Sequence, residues 1–333
     1  MRLPVIDGAQ ENIDLEQLNQ MVDEFLGNGF IYFDTSYAYH NGKSEEALRK
    51  SVVERYPKSK FTIAIKLPTF LIQTEDQVED IFAQQLKNLG TDYVDYYLIY
   101  AMMEGGYKKY DKFHLWDFVG EQKAKGLVKH MGFSFHAGPQ LLDRLLKEHP
   151  EVDFVQLQIN YADWENPSVT ARANYEVARK HGKSIVIMEP VKGGNLANPP
   201  AAVKRLFDGY HPDMSYASWA IRFVASLDGI ITVLSGMSNT QQMEDNLSYM
   251  KKFQPLNEAE QKIIQEAQRI LGNSSTIPCT ACHYCTEGCP KKIPIPEIFS
   301  AMNKQLGNGQ MAEAVSDYRK ATSLAGKASE CIN

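Results

Sequence analysis

The sequence contains no long hydrophobic run. Nowhere does it approach the ~20 uninterrupted apolar residues of a transmembrane helix, so we expect no membrane span. Its first residues, MRLPVIDGAQENID, lack the basic and apolar regions of a signal peptide. It also lacks an excess of positive charge: 35 Lys and Arg stand against 41 Asp and Glu, which gives no reason to expect a nucleic-acid partner. A hydrophobic content of 44% is typical of a soluble globular protein.

Cysteine is scarce, and its distribution is informative. There are five cysteines in 333 residues, and none precedes residue 279. Cys279, Cys282, Cys285 and Cys289, with Pro290 directly after them, have the C-x2-C-x2-C-x3-C-P spacing of bacterial ferredoxins. Three thiolates spaced in this way can bind one 4Fe-4S cluster, and in two-cluster ferredoxins the fourth ligates the other cluster. The spacing predicts iron–sulfur ligation in a reducing cytoplasm, with a structural zinc site as the alternative.

The fifth cysteine, Cys331, stands two residues before the end of the sequence at Asn333. A second cluster motif would begin with C-x-x-C, so we interpret Cys331 as its first thiolate and expect the sequence to be truncated there. A lone thiol near a frayed C-terminus is the alternative. We therefore predict that two clusters do not assemble in a chain that ends at Asn333.

Short apolar runs recur along the first 240 residues with amphipathic segments between them. There are seven such runs: Phe30–Asp34, Phe61–Ile65, Val94–Ile99, Val128–Phe133, Phe154–Gln158, Ser184–Met188 and Ile230–Leu234. Alternating strand and helix predicts an α/β fold with a parallel sheet, and about 250 residues of such repeats is the size of a (β/α)8 TIM barrel. We expect this barrel in residues 1–272 and a small α-helical, ferredoxin-like iron–sulfur domain, truncated at its C-terminus, in residues 273–333.

The barrel lacks one strand. Only Met1–Ile6 precedes the first amphipathic segment, Leu15–Leu26, and Pro4 makes it unsuitable as a central strand. We therefore expect the first strand to lie upstream of Met1. The alternative is that Met1–Ile6 fills the gap imperfectly.

Three polar residues stand where the first two predicted strands end. Asp34 closes one strand, Tyr39 lies on the loop after it, and Lys66 follows the next strand. Reactive side chains in a βα barrel sit at the C-terminal ends of strands. A tyrosine is a poor proton donor unless a neighbouring cation lowers its pKa. Lys66 could be that cation, with Asp34 holding it in place.

Several segments resemble those of a known family. FDTSYAYHNGKSEEAL and IAIKLP resemble signature segments of the aldo/keto reductases, and the layout is similar to their branch with a C-terminal ferredoxin-like domain. The resemblance extends over VDYYLIY, VKHMGFSFH, FVQLQINY, VIMEPVKGGNL, ITVLSGMSNTQQMEDNL and the cysteine run. It implies a TIM barrel that binds NAD(P)H and delivers hydride to a carbonyl. No G-x-G-x-x-G follows any predicted strand, so a Rossmann domain has no support.

The resemblance assigns Asp34, Tyr39 and Lys66 to three places of the family's catalytic tetrad, with Tyr39 as the general acid. The fourth place belongs to a histidine, and Tyr100 stands there instead. Tyr100 could donate the same hydrogen bond to the substrate oxygen or block the pocket. His114, on the following loop, is an alternative donor. Losing one such donor can cost on the order of 10²–10³ in rate.

The resemblance also implies a cofactor site. Its residues are Ser134, Gln156 and Asn160 at the nicotinamide; Glu189, Pro190, Val191 and Gly193 along the pyrophosphate; Ser235, Gly236, Met237, Ser238 and Asn239 at a phosphate; and Gln242 and Asn246 at the adenine. The SGMSNTQQ segment contains no Lys or Arg that could bind a 2′-phosphate. The sequence therefore leaves NAD and NADP open.

These features predict an NAD(P)H-dependent oxidoreductase with iron–sulfur clusters that reduces a small-molecule carbonyl. A redox protein is a candidate partner, whereas nucleic acid and membrane are not expected. Two alternatives remain open. Tyr100 favours a barrel that binds cofactor without turnover, and the clusters favour an electron-transfer module in which the barrel only docks nicotinamide.

Overall fold

The computed structural model describes residues 2–273, 277, 279, 284–287 and 289–332. Their strands are β1 (Tyr32–Asp34), β2 (Thr62–Leu67), β3 (Val94–Met102), β4 (Val128–Phe135), β5 (Phe154–Gln158), β6 (Ser184–Met188) and β7 (Ile230–Val233). Each coincides with a predicted apolar run, although β2, β3 and β4 continue past the expected ends. These strands form one parallel sheet in which neighbours in sequence are neighbours in space, from β1 to β7. The prediction of a TIM-barrel-like parallel fold is confirmed.

Helices follow the strands in the expected alternation. They are α1 (Leu15–Gly27), α2 (Ser44–Leu48), α3 (Asp76–Leu89), α4 (Lys108–Lys112), α5 (Leu115–Ala124), α6 (Pro139–Glu148), α7 (Ala171–Lys180), α8 (Ala201–Asp208), α9 (Tyr216–Ala225), α10 (Thr240–Met250), α11 (Glu258–Gly272), α12 (Tyr284–Glu287), α13 (Ile295–Asn308) and α14 (Met311–Ala321). Where the structure describes the chain, no helix is both long and apolar enough to span a membrane.

The segment before α1 does not join the sheet. Val5 forms an isolated antiparallel bridge with Ile13, and the described residues contain no strand ahead of β1. Residues 2–6 therefore do not take the place of a strand in this sheet.

Alternate residues of each strand fill the inside of the sheet. Leu98 and Phe154 form an inner apolar cluster, whereas Tyr97 and Ile99 belong to the larger core between sheet and helices. A Cβ added at Gly132 would lie 2.6 Å from the carbonyl oxygen of Phe154 and 2.7 Å from its ring. Such contacts are far shorter than van der Waals separation, so only glycine fits there. The interior is therefore a packed core, and reactive groups belong at the strand ends.

The chain divides into two compact units. The first comprises residues 1–159, 163–190 and 221–255 and contains the whole sheet; the second comprises residues 160–162, 191–220 and 256–333. The predicted division into residues 1–272 and 273–333 stays a prediction.

The second unit contains the described cysteines. Within it, α13 and α14 are joined by an ion pair between Lys304 and Asp317. The side chain of Asn303 bonds both the N–H and the C=O of Ile277, at 2.6 and 2.8 Å. Helix α13 thereby holds the backbone just ahead of the cysteine run.

Candidate active site

Lys66 and Asp34 form a buried ion pair at the ends of β1 and β2. Asp34 pairs with Ala64 across the sheet, so Lys66, two residues further along β2, is directed to the same face. The Lys66 ammonium lies 2.7 Å from each carboxylate oxygen of Asp34 and 3.0 Å from the carbonyl oxygen of Thr35. Lys66 is 1% exposed and Asp34 is 8% exposed. The three N–H bonds of the ammonium are thus donated within the protein.

Tyr39 completes this cluster. The Lys66 nitrogen lies 4.9 Å from the centroid of the Tyr39 ring, and the ring is half-buried. The loop that carries Tyr39 turns at Gly42, whose φ is +82°. The hydroxyl of Ser44, the first residue of α2, bonds the hydroxyl of Thr35 at 2.8 Å. The structure therefore brings Asp34, Tyr39 and Lys66 together as the sequence predicted.

Tyr100 occupies the place expected for a histidine, and its backbone is fixed by neighbouring hydroxyl groups. Its carbonyl oxygen accepts from Thr69 Oγ1 at 3.1 Å and from the Tyr110 hydroxyl at 3.2 Å. The same Tyr110 hydroxyl lies 3.1 Å from the carbonyl oxygen of Ala101, and the Ala101 N–H donates to Ser134 Oγ at 2.8 Å. The hydroxyl groups of Thr69, Tyr110 and Ser134 therefore all bond the peptide group between Tyr100 and Ala101.

A backbone irregularity accompanies these contacts. The register between β3 and β4 shifts between Ile99 and Met102, and Ala101 has a φ of +55°. A left-handed conformation costs a non-glycine residue roughly 1–2 kcal/mol. Thr69 and Tyr110 are not predictable from the sequence, because neither lies in a recognisable motif and both act through backbone carbonyls.

Ser134 and Gln156 pair across β4 and β5 and are almost fully buried. Gln156 Nε2 contacts the sulfur of Met188 at 3.4 Å. Its Oε1 is buried and accepts no hydrogen bond from any residue in the described part of the chain. A buried acceptor left unpaired costs roughly 1–3 kcal/mol. An amide ligand would satisfy it, since Gln156 can accept from an NH2 group while the Ser134 hydroxyl donates to a carbonyl. These residues fit a nicotinamide carboxamide.

Residues of the loop after β7 form hydrogen bonds with residues of α10. Asn246 Nδ2 donates to Ser235 Oγ at 2.9 Å, and the N–H of Ser238 donates to Gln242 Oε1 at 2.7 Å. Asn239 caps α10 by accepting from the Gln242 N–H. Gly236 and Met237 lie between Ser235 and Ser238 in the same loop. The predicted phosphate and adenine residues are therefore gathered at the start of α10.

The other predicted cofactor residues fall in both units. Glu189, with a φ of +55°, and Pro190 follow β6 in the first unit. Asn160, fully buried, belongs to the second unit together with Val191 and Gly193. Gly193 has a φ of +64°, which accounts for glycine at that turn.

Two histidines near the strand ends differ in setting. His114, the alternative donor, has a side chain that is 60% exposed and lies 3.7 Å from Asp117. His136 follows Ser134 by two residues, and no motif in the sequence marks it. Its backbone N–H donates to the Met102 carbonyl oxygen at 2.9 Å. Burial lowers the pKa of His136 to about 4, so its imidazole is neutral at pH 7.

The cysteine residues are only partly described. Cys279, Cys285, Cys289 and Cys331 are described, whereas Cys282 lies outside the described residues. The carbonyl oxygen of Cys279 accepts from Asn195 Nδ2 at 3.0 Å. Among the described residues, no three His, Cys, Asp or Glu side chains are grouped to hold a metal ion. Ligation by this motif remains a prediction from its spacing.

The chain is similar to several known proteins. A family model described as "Aldo/keto reductase family" matches residues 5–269. An aldo-keto reductase from Mycolicibacterium vanbaalenii is 27% identical over 249 residues, which cover 74% of this chain and 82% of that protein. A region of 129 residues is 32% identical to an NAD/NADP-dependent indole-3-acetaldehyde reductase from Schizosaccharomyces pombe, covering 38% of this chain and 42% of that protein.

Solved structures share the fold. The holo form of an aldo-keto reductase from Bacillus halodurans superposes with a TM-score of 0.62 at 20% identity, covering 80% of this chain and 91% of that one. An aldo/keto reductase from Klebsiella pneumoniae in complex with NADP and acetate superposes with a TM-score of 0.64 at 13% identity, covering 80% and 90%.

Proposed function

The chain belongs to the aldo/keto reductase family, and from that premise we propose that it reduces the carbonyl group of a small molecule with NADH or NADPH. The observation that carries this proposal is the buried Lys66–Asp34 pair beneath the ring of Tyr39. Membership of the family indicates the reaction class. Tyr39 is the candidate proton donor, and Lys66 is a cation held beside it.

The nicotinamide cofactor, when bound, supplies the hydride. Ser134 and Gln156 would hold its carboxamide, because one offers a hydroxyl donor and the other a buried acceptor. Gly236 and the neighbouring residues of the loop after β7 would line a phosphate. The family neighbour bound to NADP supports a dinucleotide as the ligand, and the choice between NAD and NADP is left to experiment.

Tyr39 is the proposed proton donor to the carbonyl oxygen. The positive charge of Lys66 near its ring stabilises the phenolate that remains after the proton has left. Asp34 does not touch the substrate in this scheme. It holds the ammonium in one place by accepting two of its hydrogen bonds.

Tyr100 is proposed to donate the second hydrogen bond to the carbonyl oxygen, in place of the family's histidine. Its support is the clamp on its backbone by Thr69 and Tyr110, which fixes the start of the side chain. A donor must be held in position to lower the energy of a transition state. A displaced or mobile tyrosine would not meet that need.

The proposal extends to an iron–sulfur domain in the second unit, with Cys279, Cys282, Cys285 and Cys289 as ligands and Cys331 as a further candidate ligand. Support comes from the ligand spacing alone. A cytoplasmic location and a redox protein as partner belong to the same proposal. Iron and acid-labile sulfide should be measured on protein purified without oxygen. We expect about four iron atoms per chain, the content of one 4Fe-4S cluster. Stoichiometric zinc instead of iron would overturn this assignment.

The reductase proposal is tested by NADH and NADPH oxidation with a panel of aldehydes and ketones, using wild type, Tyr100→His and Tyr39→Phe. Turnover by wild type that is lost in Tyr39→Phe supports the proposal. Turnover only in Tyr100→His, with cofactor binding retained by wild type, would favour the binding-only alternative that Tyr100 suggests. If cofactor reduces the cluster without any carbonyl compound, the electron-transfer alternative is favoured.

A further inference from the structure

Arg2 lies across Gly236. A Cβ built at Gly236 would be 3.2 Å from both Cγ and Cδ of Arg2 and 3.4 Å from its Cβ. Carbon atoms in contact normally sit about 3.5–4.0 Å apart, so an alanine at 236 would push the arginine away. The φ of Gly236 is not positive, and the backbone alone does not call for glycine. Space for the arginine side chain is therefore what glycine provides at this position.

The backbone that carries Arg2 is fixed by His40. The N–H of Leu3 donates to His40 Nε2 at 2.9 Å, and His40 Nδ1 lies 2.8 Å from the carbonyl oxygen of Gln10. Because a carbonyl only accepts and an N–H only donates, Nδ1 carries the proton and Nε2 accepts. Leu3 is 5% exposed and His40 is 7% exposed. Arg2 thus extends from an anchored residue.

The positive charge of Arg2 is not balanced nearby. Its exposed guanidinium forms no ion pair or hydrogen bond with any residue that the structure describes. In the loop that the Arg2 side chain contacts at Gly236, the N–H groups of Ser235, Gly236 and Met237 donate to no acceptor within the same described ranges. Neighbouring backbone N–H groups without acceptors, together with a guanidinium, are donors that suit a phosphate.

We propose that Arg2 binds a phosphate of the dinucleotide cofactor at the loop after β7, supplying the cation that the SGMSNTQQ segment lacks. The assignment rests on the proposed function, since it takes the dinucleotide as the ligand. Both the pyrophosphate and the 2′-phosphate of NADP present the same oxygen chemistry. Comparing NADH with NADPH separates these two sources.

The first test is cofactor affinity, measured by fluorescence titration of the full chain with NADH and with NADPH in the absence of any carbonyl substrate. Loss of a charge-assisted hydrogen bond should weaken binding by about 10- to 100-fold in Arg2→Gln. Arg2→Lys should recover part of the affinity. Arg144→Gln, which changes an arginine elsewhere in the same unit that stacks on Tyr107, is the control and should bind as wild type.

The pattern of loss identifies the phosphate. Equal weakening toward NADH and NADPH assigns Arg2 to the pyrophosphate, and weakening toward NADPH alone assigns it to the 2′-phosphate. Unchanged affinity for both cofactors in Arg2→Gln would overturn the proposal and leave the proposed function intact. If wild type binds neither NADH nor NADPH, the result would contradict both the role proposed for Arg2 and the proposed function.

Gly236→Ala provides an independent test. The added methyl should shift the Arg2 side chain by a few tenths of an ångström. Binding should therefore weaken less than in Arg2→Gln, without a lower melting temperature, since the backbone conformation at 236 accepts alanine. In the Arg2→Gln background the same change should have little further effect, because both act through one contact. A full additional loss in the double variant would contradict the packing explanation.

Discussion

Ser134 accepts a hydrogen bond from the backbone N–H of Ala101, at 2.8 Å. The residue expected to bind the nicotinamide carboxamide is thus also the residue that holds the strained peptide after Tyr100. Its hydroxyl can accept from Ala101 and donate to a ligand at the same time. The proposed nicotinamide site and the backbone of Tyr100 are thus joined through a single oxygen atom.

Replacing Ser134 with alanine should therefore affect both properties. The Ala101 N–H would lose its acceptor, at a cost of about 1–3 kcal/mol in the free energy of unfolding. Cofactor affinity should fall as well, because the hydroxyl donor is gone. Chemical denaturation and fluorescence titration measure the two effects. Ser134→Thr keeps the hydroxyl and should retain more of each; equal damage from both substitutions would indicate that packing alone matters.

Lys66→Met should strongly destabilise the protein, because it leaves the Asp34 carboxylate buried without its cation. Breaking a buried pair in this way typically costs about 3–5 kcal/mol. Adding Asp34→Asn removes the stranded charge and should recover much of that stability without restoring turnover. Urea unfolding of the single and double variants measures this, with Lys60→Met, at an exposed lysine, as the control. No recovery in the double variant would count against the charge explanation.

Tyr110→Phe removes only the hydroxyl shared by the carbonyl oxygens of Tyr100 and Ala101. We expect a loss of about 1 kcal/mol in stability and a several-fold lower kcat with little change in KM, because Tyr100 becomes less well positioned. Steady-state kinetics beside thermal melting separates the two effects. Tyr107→Phe is the matched control, since it removes a tyrosine hydroxyl from the residue that precedes α4. A stability loss with unchanged kcat would make Tyr110 purely structural.

The stability of the fold should fall in mild acid because of His136. Its pKa is about 4 in the folded protein and 6.5 when solvated, so between these values the unfolded chain binds more protons. Stability is therefore lost as the pH falls from about 6.5 toward 4. His136→Gln should flatten this part of the curve. Urea unfolding at pH 7 and pH 5 measures the effect, and parallel losses in wild type and variant would contradict it.

Much of the fold could be read from the sequence because buried parallel strands leave a clear pattern. All seven apolar runs became strands, and the order of the sheet follows the order of the chain. Helices with weaker patterns are harder to predict. Helix α5 has Gly120 at its centre, and α9 presents Trp219, Ala220 and Ile221 as consecutive buried residues. A run of consecutive apolar residues, as in α9, hides the spacing by which an amphipathic helix is recognised.

The candidate site was predictable where side chains meet side chains. Asp34, Tyr39 and Lys66 were expected together and lie together. Contacts to backbone atoms were not predictable, since the positive φ of Ala101 and the register shift beside it are set by tertiary packing. Thr69 Oγ1 finds the carbonyl of Tyr100 only after that packing is in place.

The complete set of hydrogen bonds around the Lys66 ammonium limits the chemistry of this barrel. An amine attacks a carbonyl through its nitrogen lone pair, and some enzymes use a lysine in this way to form a Schiff base. With its three N–H bonds donated to Asp34 and Thr35, Lys66 has no lone pair to offer. A carbonyl compound at the end of β2 would meet a lysine that cannot become an imine. Borohydride reduces Schiff bases irreversibly. Treatment with borohydride should therefore not attach a carbonyl compound covalently to Lys66.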